Sequence, residues 1–183
     1  MSNTDTVRVL AISGSLRQAS SNSALVSAAV RLAPEGTEVS IYSELAAVPP
    51  FNPDLDVDPA PPGVVRFRTA LEACDAILIC SPEYAHGVSG VLKNALDWVV
   101  SSGELIDKPI ALINASTRAV LAYASLMETL TTMSGRVIED ASTTIPLDGL
   151  KCDASSIAQD PYLSGLLKAS VAALARAARV DAR

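Results

Sequence analysis

Serines, an arginine and an asparagine crowd one turn of the chain. In ISGSLRQASSNSAL (residues 12–25), an aliphatic run gives way to Ser15, Leu16, Arg17, Ser20, Ser21, Asn22 and Ser23. Hydroxyls and the asparagine amide donate hydrogen bonds, and a guanidinium presents a planar fork that matches phosphate oxygens. Helical apolar spacing resumes immediately afterwards, so the turn opens onto a helix N-terminus, where unsatisfied N–H groups and partial positive charge favour an anion. A Ser/Asn helix cap accounts for one or two of these polar residues and leaves the others unexplained. Gly14 is expected to let the backbone turn away from the strand. The pattern is neither GxGxxG nor GxxxxGK[ST], and no GxSxG elbow accompanies it. The chemistry expected here is phosphate binding.

Two further loops carry side chains of chemical interest. In SPEYAHG (residues 81–87), Pro82 sets the chain direction and Tyr84 offers an aromatic plane. Successive backbone N–H and C=O groups there suit the edge of a flat heterocycle. Glu83 reads as a cap or structural ion pair, with acid–base work as the alternative. His86 reads as a hydrogen-bonded surface residue or a proton donor. In NASTRA (residues 114–119), Ser116 falls just past an apolar run, either as a ligand contact or as an ordinary turn residue. Cys74, Cys80 and Cys152 form no CxxC pair, and the chain holds 1 histidine, so no metal is expected and the thiols fit a reducing cytoplasm.

The elements that must position these loops alternate. Val7–Ser13, Glu38–Ser43, Ala76–Ser81 and Lys108–Ser116 read as short, buried strands, and RVIED (136–140) starts a fifth. Helical spacing covers Asn22–Ala33, Val64–Cys74, Gly90–Ser101, Ala119–Met133 and Tyr162–Val180. Between the second strand and second helix, residues 44–63 contain Pro49, Pro50, Pro53, Pro59, Pro61 and Pro62, too many for a helix or central strand. Strand–helix alternation predicts one α/β domain over residues 1–183, with a parallel sheet covered on both faces. In such sheets ligands bind at the carboxyl ends of the strands, where all three loops fall.

Composition limits the partners. The formal net charge is −6, and no basic stripe is present, which argues against nucleic acid. No apolar run is long enough to span a bilayer, and the polar start MSNTDT lacks a signal-peptide layout, so a cytoplasmic protein is expected.

GSLRQASSNSAL resembles the GSLRxxSxNxxL phosphate loop of the NAD(P)H-dependent FMN reductase family. SPEYAHGVSGVLKNALDW resembles that family's second signature, (T/S)PEYNxxxPGxLKNAxDW, and PFNPDLD (50–56) is also similar in its place. The resemblance runs from Val7 to about Met133. It implies a flavodoxin-like three-layer sandwich with a five-stranded parallel sheet of order 2-1-3-4-5, binding FMN non-covalently. By motif position, Ser15, Arg17, Ser20, Ser21 and Asn22 would hold the phosphate, with Leu16 among the cofactor-binding residues. Pro82, Glu83, Tyr84 and Ala85 would line the isoalloxazine, largely through backbone groups, with Ser116 as a third contact. The implied activity is hydride transfer from NADPH or NADH to FMN and on to a small acceptor such as a quinone, azo compound, chromate or free flavin, with ping-pong kinetics and no catalytic side chain. Homodimers or homotetramers are implied, and Leu96 and Val100, off the main apolar stripe of their helix, are candidates for an interface. The rival readings are a flavodoxin-type electron carrier and a non-redox binding protein or hydrolase of the same architecture. Three departures stand out: Ala85 replaces a common Asn, Ser89 replaces a common Pro, and Arg118 falls where glycines are often found.

Overall fold

The computed structural model describes residues 6–17 and 19–181; the N-terminal residues 1–5, Gln18 and residues 182–183 lie outside them. The chain begins β1 (Val7–Ser13), α1 (Ser21–Arg31), β2 (Thr37–Tyr42), α2 (Pro62–Glu72) and β3 (Ala76–Cys80). It continues through β4 (Glu83–Tyr84), β5 (Gly87–Val88), α3 (Gly90–Asp97), β6 (Pro109–Asn114) and α4 (Val120–Thr132). It ends with β7 (Arg136–Val137), β8 (Thr143–Thr144), α5 (Ala154–Gln159) and α6 (Pro161–Asp181). The main sheet is parallel, in the order β2-β1-β3-β6-β7, with β8 also on β6. Numbering only the sheet positions, this is the expected 2-1-3-4-5.

The all-apolar strands are explained by a sheet buried on both sides. Val9, Ala11, Leu78, Cys80, Ala111 and Ile113 pack with α1 and α6, through Leu25, Ala29, Leu167 and Val171. The alternate residues Leu10, Ile12, Ile77, Ile79, Ile110 and Leu112 pack with α2, α3 and α4, through Phe67, Leu92, Leu126 and Leu130. Three layers follow directly from the period of two along each strand.

The fifth position differs from the continuous strand expected from RVIED. β7 pairs with Pro109 and Ile110, and β8 with Ile113 and Asn114. Between them Glu139–Ala141 form a single 3₁₀ turn. Ser142 Oγ accepts the Leu112 N–H at 3.0 Å, standing in for the missing ladder bond. Helix α3 also ends at Asp97, earlier than Ser101, and the chain leaves it in turns. Leu96 belongs to the core at 2% exposure, whereas Val100 is 63% exposed.

SPEYAHG is a two-residue hairpin rather than an open loop. Glu83 pairs with Val88 and Tyr84 with Gly87. Ala85 and His86 form its tip with φ of 49° and 62°. Both central residues at positive φ make this the turn that suits right-twisted strands, and it favours Asn or Gly. The family's common Asn at position 85 thus has a backbone reason, which Ala85 meets at some strain.

The proline-rich segment is anchored rather than loose. Asn94 accepts the Phe51 N–H at 2.7 Å and donates to the Pro49 carbonyl at 2.8 Å. Trp98 Nε1 donates to the same carbonyl at 2.8 Å, and Phe51 meets the Trp98 ring edge-on at 5.1 Å. The KNAxDW signature therefore holds the segment in place. At Gly63 a Cβ would lie 2.1 Å from the Ala47 carbonyl oxygen, so α2 can approach this segment only as glycine.

Candidate active site

Gly14 stands where the first two loops touch. Its N–H donates to the Cys80 carbonyl at 2.8 Å, and its carbonyl accepts from Ser89 Oγ at 2.6 Å. A Cβ there would sit 2.6 Å from Ser81 Oγ. Close approach, rather than a turn away from β1, is what demands glycine. Ser89, in place of the common Pro, ties the second loop to the first.

The first loop is braced from within. Ser13 Oγ lies 3.1 Å from Ser23 Oγ and receives the Ser15 N–H at 3.3 Å, and Ser15 Oγ receives the Arg17 N–H at 3.3 Å. Ser15, Ser20 and Asn22 are buried. Asn22 Oδ1 accepts the buried Cys80 thiol at 3.1 Å, so that oxygen is already used; burial pushes the Cys80 thiol far up, leaving it protonated. Ser20 sits at the N-cap of α1, yet its side chain makes no capping bond. The first-turn N–H groups of α1 are therefore left for another acceptor. Arg17 and Leu16 are exposed, and Arg17 forms no ion pair among the described residues.

Beside this loop lies a cavity of about 390 Å³. Ser21 and Asn22 line one end, Ser81, Pro82 and Glu83 one wall, and Asn114–Ser116, Arg118 and Ala119 the other; Leu147–Gly149 complete it. All three loops at the carboxyl ends of β1, β3 and β6 thus meet at one opening. Tyr84 and Ala85 stand outside this lining, in the exposed hairpin. Leu16 lines a separate pocket of about 280 Å³ with Val48, Pro50, Gly90 and Asn94.

Glu83 is a helix cap and a hydrogen-bond partner of His86, a structural role, which is the first of its two alternatives. One oxygen accepts the Ala122 N–H at the start of α4 at 2.9 Å, and the other lies 3.0 Å from His86 Nδ1. The backbone bond, then His86, holds the Glu83 carboxyl below the usual carboxylate range. It is therefore ionised near neutrality and unavailable as a proton donor.

Asp148 is the residue the sequence left unmarked. It reaches the third loop from beyond β8 and accepts Ser116 Oγ, the Thr117 N–H at 2.9 Å and Thr117 Oγ1 at 3.0 Å. Arg118 lies 3.4 Å away. These contacts, led by Ser116, lower its carboxyl to about 2. The Ser116 side chain also accepts the Arg118 N–H at 3.1 Å, and Asn114 accepts the Ser116 N–H at 3.1 Å. Ser116 is a turn residue and a cavity wall at once. A lone aspartate separated by 32 positions from its partner had no local pattern to announce it.

Residues 7–148 match the family model for NADPH-dependent FMN reductase. An NAD(P)H-dependent FMN reductase of Pseudomonas aeruginosa is 41% identical over 114 residues, covering 61% of each chain. An NADPH:quinone oxidoreductase of Arabidopsis thaliana is 42% identical over 113 residues, covering 59% of this chain and 57% of its own length. The chain thus spans 61% and 57% of these curated relatives. FerB, a flavoenzyme NAD(P)H:(acceptor) oxidoreductase of Paracoccus denitrificans, has the same fold with a TM-score of 0.75 at 26% identity, over 95% of this chain and 98% of that one. The extent of the family match, taken with the three converging loops, means that the chain belongs to the NADPH-dependent FMN reductase family.

Proposed function

We propose that this protein is an FMN-dependent NAD(P)H oxidoreductase that passes electrons to a small acceptor. The observation that carries this reading is the uncapped N-terminus of α1, whose Ser21 and Asn22 line one end of a cavity of about 390 Å³, with the exposed Arg17 in the loop just before it. That donor set suits a phosphate monoester, and the volume falls in the ordinary range for small-molecule sites. The residues present therefore fit FMN. Ser15, Arg17, Ser20, Ser21 and Asn22 would take its phosphate. The Pro82–Glu83 backbone and Ser116 would border the ring, and on the family resemblance Tyr84 and Ala85 flank it. FMN, when bound, supplies the hydride chemistry. The protein's own groups orient and bind: Glu83, kept anionic, holds the hairpin against α4, and Asp148 fixes the third loop.

Quinones are the proposed acceptors, in keeping with the names of the plant relatives and of a quinone reductase of Escherichia coli; azo compounds, chromate and free flavin are further candidates. Use of one site by donor and acceptor in turn predicts ping-pong kinetics. Parallel initial-rate lines under varied NADPH and quinone are expected, and intersecting lines would contradict it. A homodimer or homotetramer in the cytoplasm belongs to the same proposal; no helix among the described residues is long and apolar enough to cross a membrane.

The deciding experiment is an absorption spectrum of the pure protein, before and after NADPH. A flavin spectrum that bleaches is expected; a colourless protein that takes up no added FMN would overturn the reading. Arg17→Ala should weaken FMN binding at least tenfold, the order expected for lost charge-assisted hydrogen bonds, and leave the unfolding midpoint nearly unchanged.

A further inference from the structure

We propose that Arg118 selects, at the cavity rim, an electron donor that carries an additional phosphate monoester over one that lacks it. The inference rests on the oxidoreductase reading and specifies its donor.

The charges around the cavity leave few candidates for this task. Among the described residues lining it, Arg118 is the cation, facing the carboxylates Glu83 and Asp148. Both carboxylates are committed elsewhere. Glu83 is bound to α4 and His86, and Asp148 to Ser116 and Thr117. Neither attracts an anion, and the molecule as a whole carries a formal charge of −6. An extra phosphate on a ligand is therefore penalised in this cavity unless Arg118 receives it. Arg17 belongs to the first loop and is not part of this lining.

Arg118 is also arranged to respond. Its backbone is pinned, because its N–H donates to Ser116 Oγ at 3.1 Å. Its side chain is 83% exposed, and among the described residues it pairs with Asp148 at 3.4 Å. Asp148 keeps its three hydrogen bonds from Ser116 and Thr117 when the guanidinium leaves. The guanidinium can thus exchange a weak, solvent-screened pair for a bidentate phosphate at little cost to the loop. An exposed contact of this kind weakens as salt rises.

The test is calorimetric titration of the FMN-loaded protein with adenosine 2′,5′-bisphosphate and with adenosine 5′-monophosphate, which needs no turnover. Wild type should bind the bisphosphate roughly tenfold more tightly, the order of one hydrogen-bonded charge pair. That preference should shrink between about 10 mM and about 1 M salt. Arg118→Ala should abolish the preference, Arg118→Lys should retain part of it, and Arg118→Glu should reverse it. Absence of a preference in wild type, or its survival in Arg118→Ala, would overturn the proposal. A sulfonated quinone separates the other source of negative charge: if Arg118→Ala raises the KM for that acceptor while bisphosphate affinity is unchanged, Arg118 serves the acceptor and the donor assignment falls. A protein that takes up no FMN sinks the oxidoreductase reading, whereas the same titration without flavin still reports on Arg118.

Discussion

Asp148 shows how one carboxylate can order a loop that carries no rigid element of its own. Three donors from Ser116 and Thr117 converge on it, and its carboxyl is lowered from 3.8 to about 2. A depressed folded value means that the stabilisation is complete above the unfolded value and is lost as pH falls through the folded one. The third loop should therefore loosen between pH 3.8 and about 2. Asp148→Asn should lower stability near neutrality and flatten this acid limb, read from urea midpoints measured across that range. An unchanged acid limb in the variant would show that other carboxylates dominate there. At this scale the polar turn between β1 and α1 was legible, because serines and an arginine beside a helix start form a local pattern. Asp148, the thiol bond from Cys80 to Asn22 and the Ser89–Gly14 bond were not, since each joins residues far apart in sequence.

Gly63 decides how closely α2 can pack. Glycine in a helix is ordinarily improved by alanine, by about 0.5–1 kcal/mol. Here the added methyl would lie 2.1 Å from the Ala47 carbonyl oxygen. Gly63→Ala should therefore destabilise, by about 1–3 kcal/mol as for other overpacked sites, with a lowered urea midpoint and faster proteolysis within residues 44–63. A gain in stability would show that this contact relaxes freely. The elements themselves were legible where burial imposed a simple pattern. β1, β3 and β6 are short apolar runs because helices cover both of their faces, and α1, α2 and α4 carry one buried stripe each. The pieces that escaped follow other rules. β4 and β5 are two residues each, set by positive φ at Ala85 and His86, with neither Gly nor Asn to mark the turn. α5 is a six-residue helix started by an Asp153 capping box inside a stretch that reads as a polar connection. The fifth strand position is broken by a turn, so no continuous apolar run existed to be seen.

Two core layers, one on each side of the sheet, account for the whole molecule's architecture. The proposed self-assembly draws on what those layers leave outside. Val100 and Ile106 are 63% and 58% exposed, beside Val99 and Met133 in a groove between the end of α3 and α4. Light scattering at dilute concentration should report a dimer or tetramer, and a monomer would remove assembly from the functional proposal. The sheet's two margins are unlike each other. At one, β2 runs unbroken from Thr37 to Tyr42. At the other, β7 and β8 are separated by the turn at Glu139–Ala141. A margin broken in this way makes a poor template for a foreign strand, since no long row of free backbone groups lies in register. Protection against amyloid-like growth is thus built into one side of the molecule by the same irregularity that hid its last strand, and the burden of staying unpaired falls on β2.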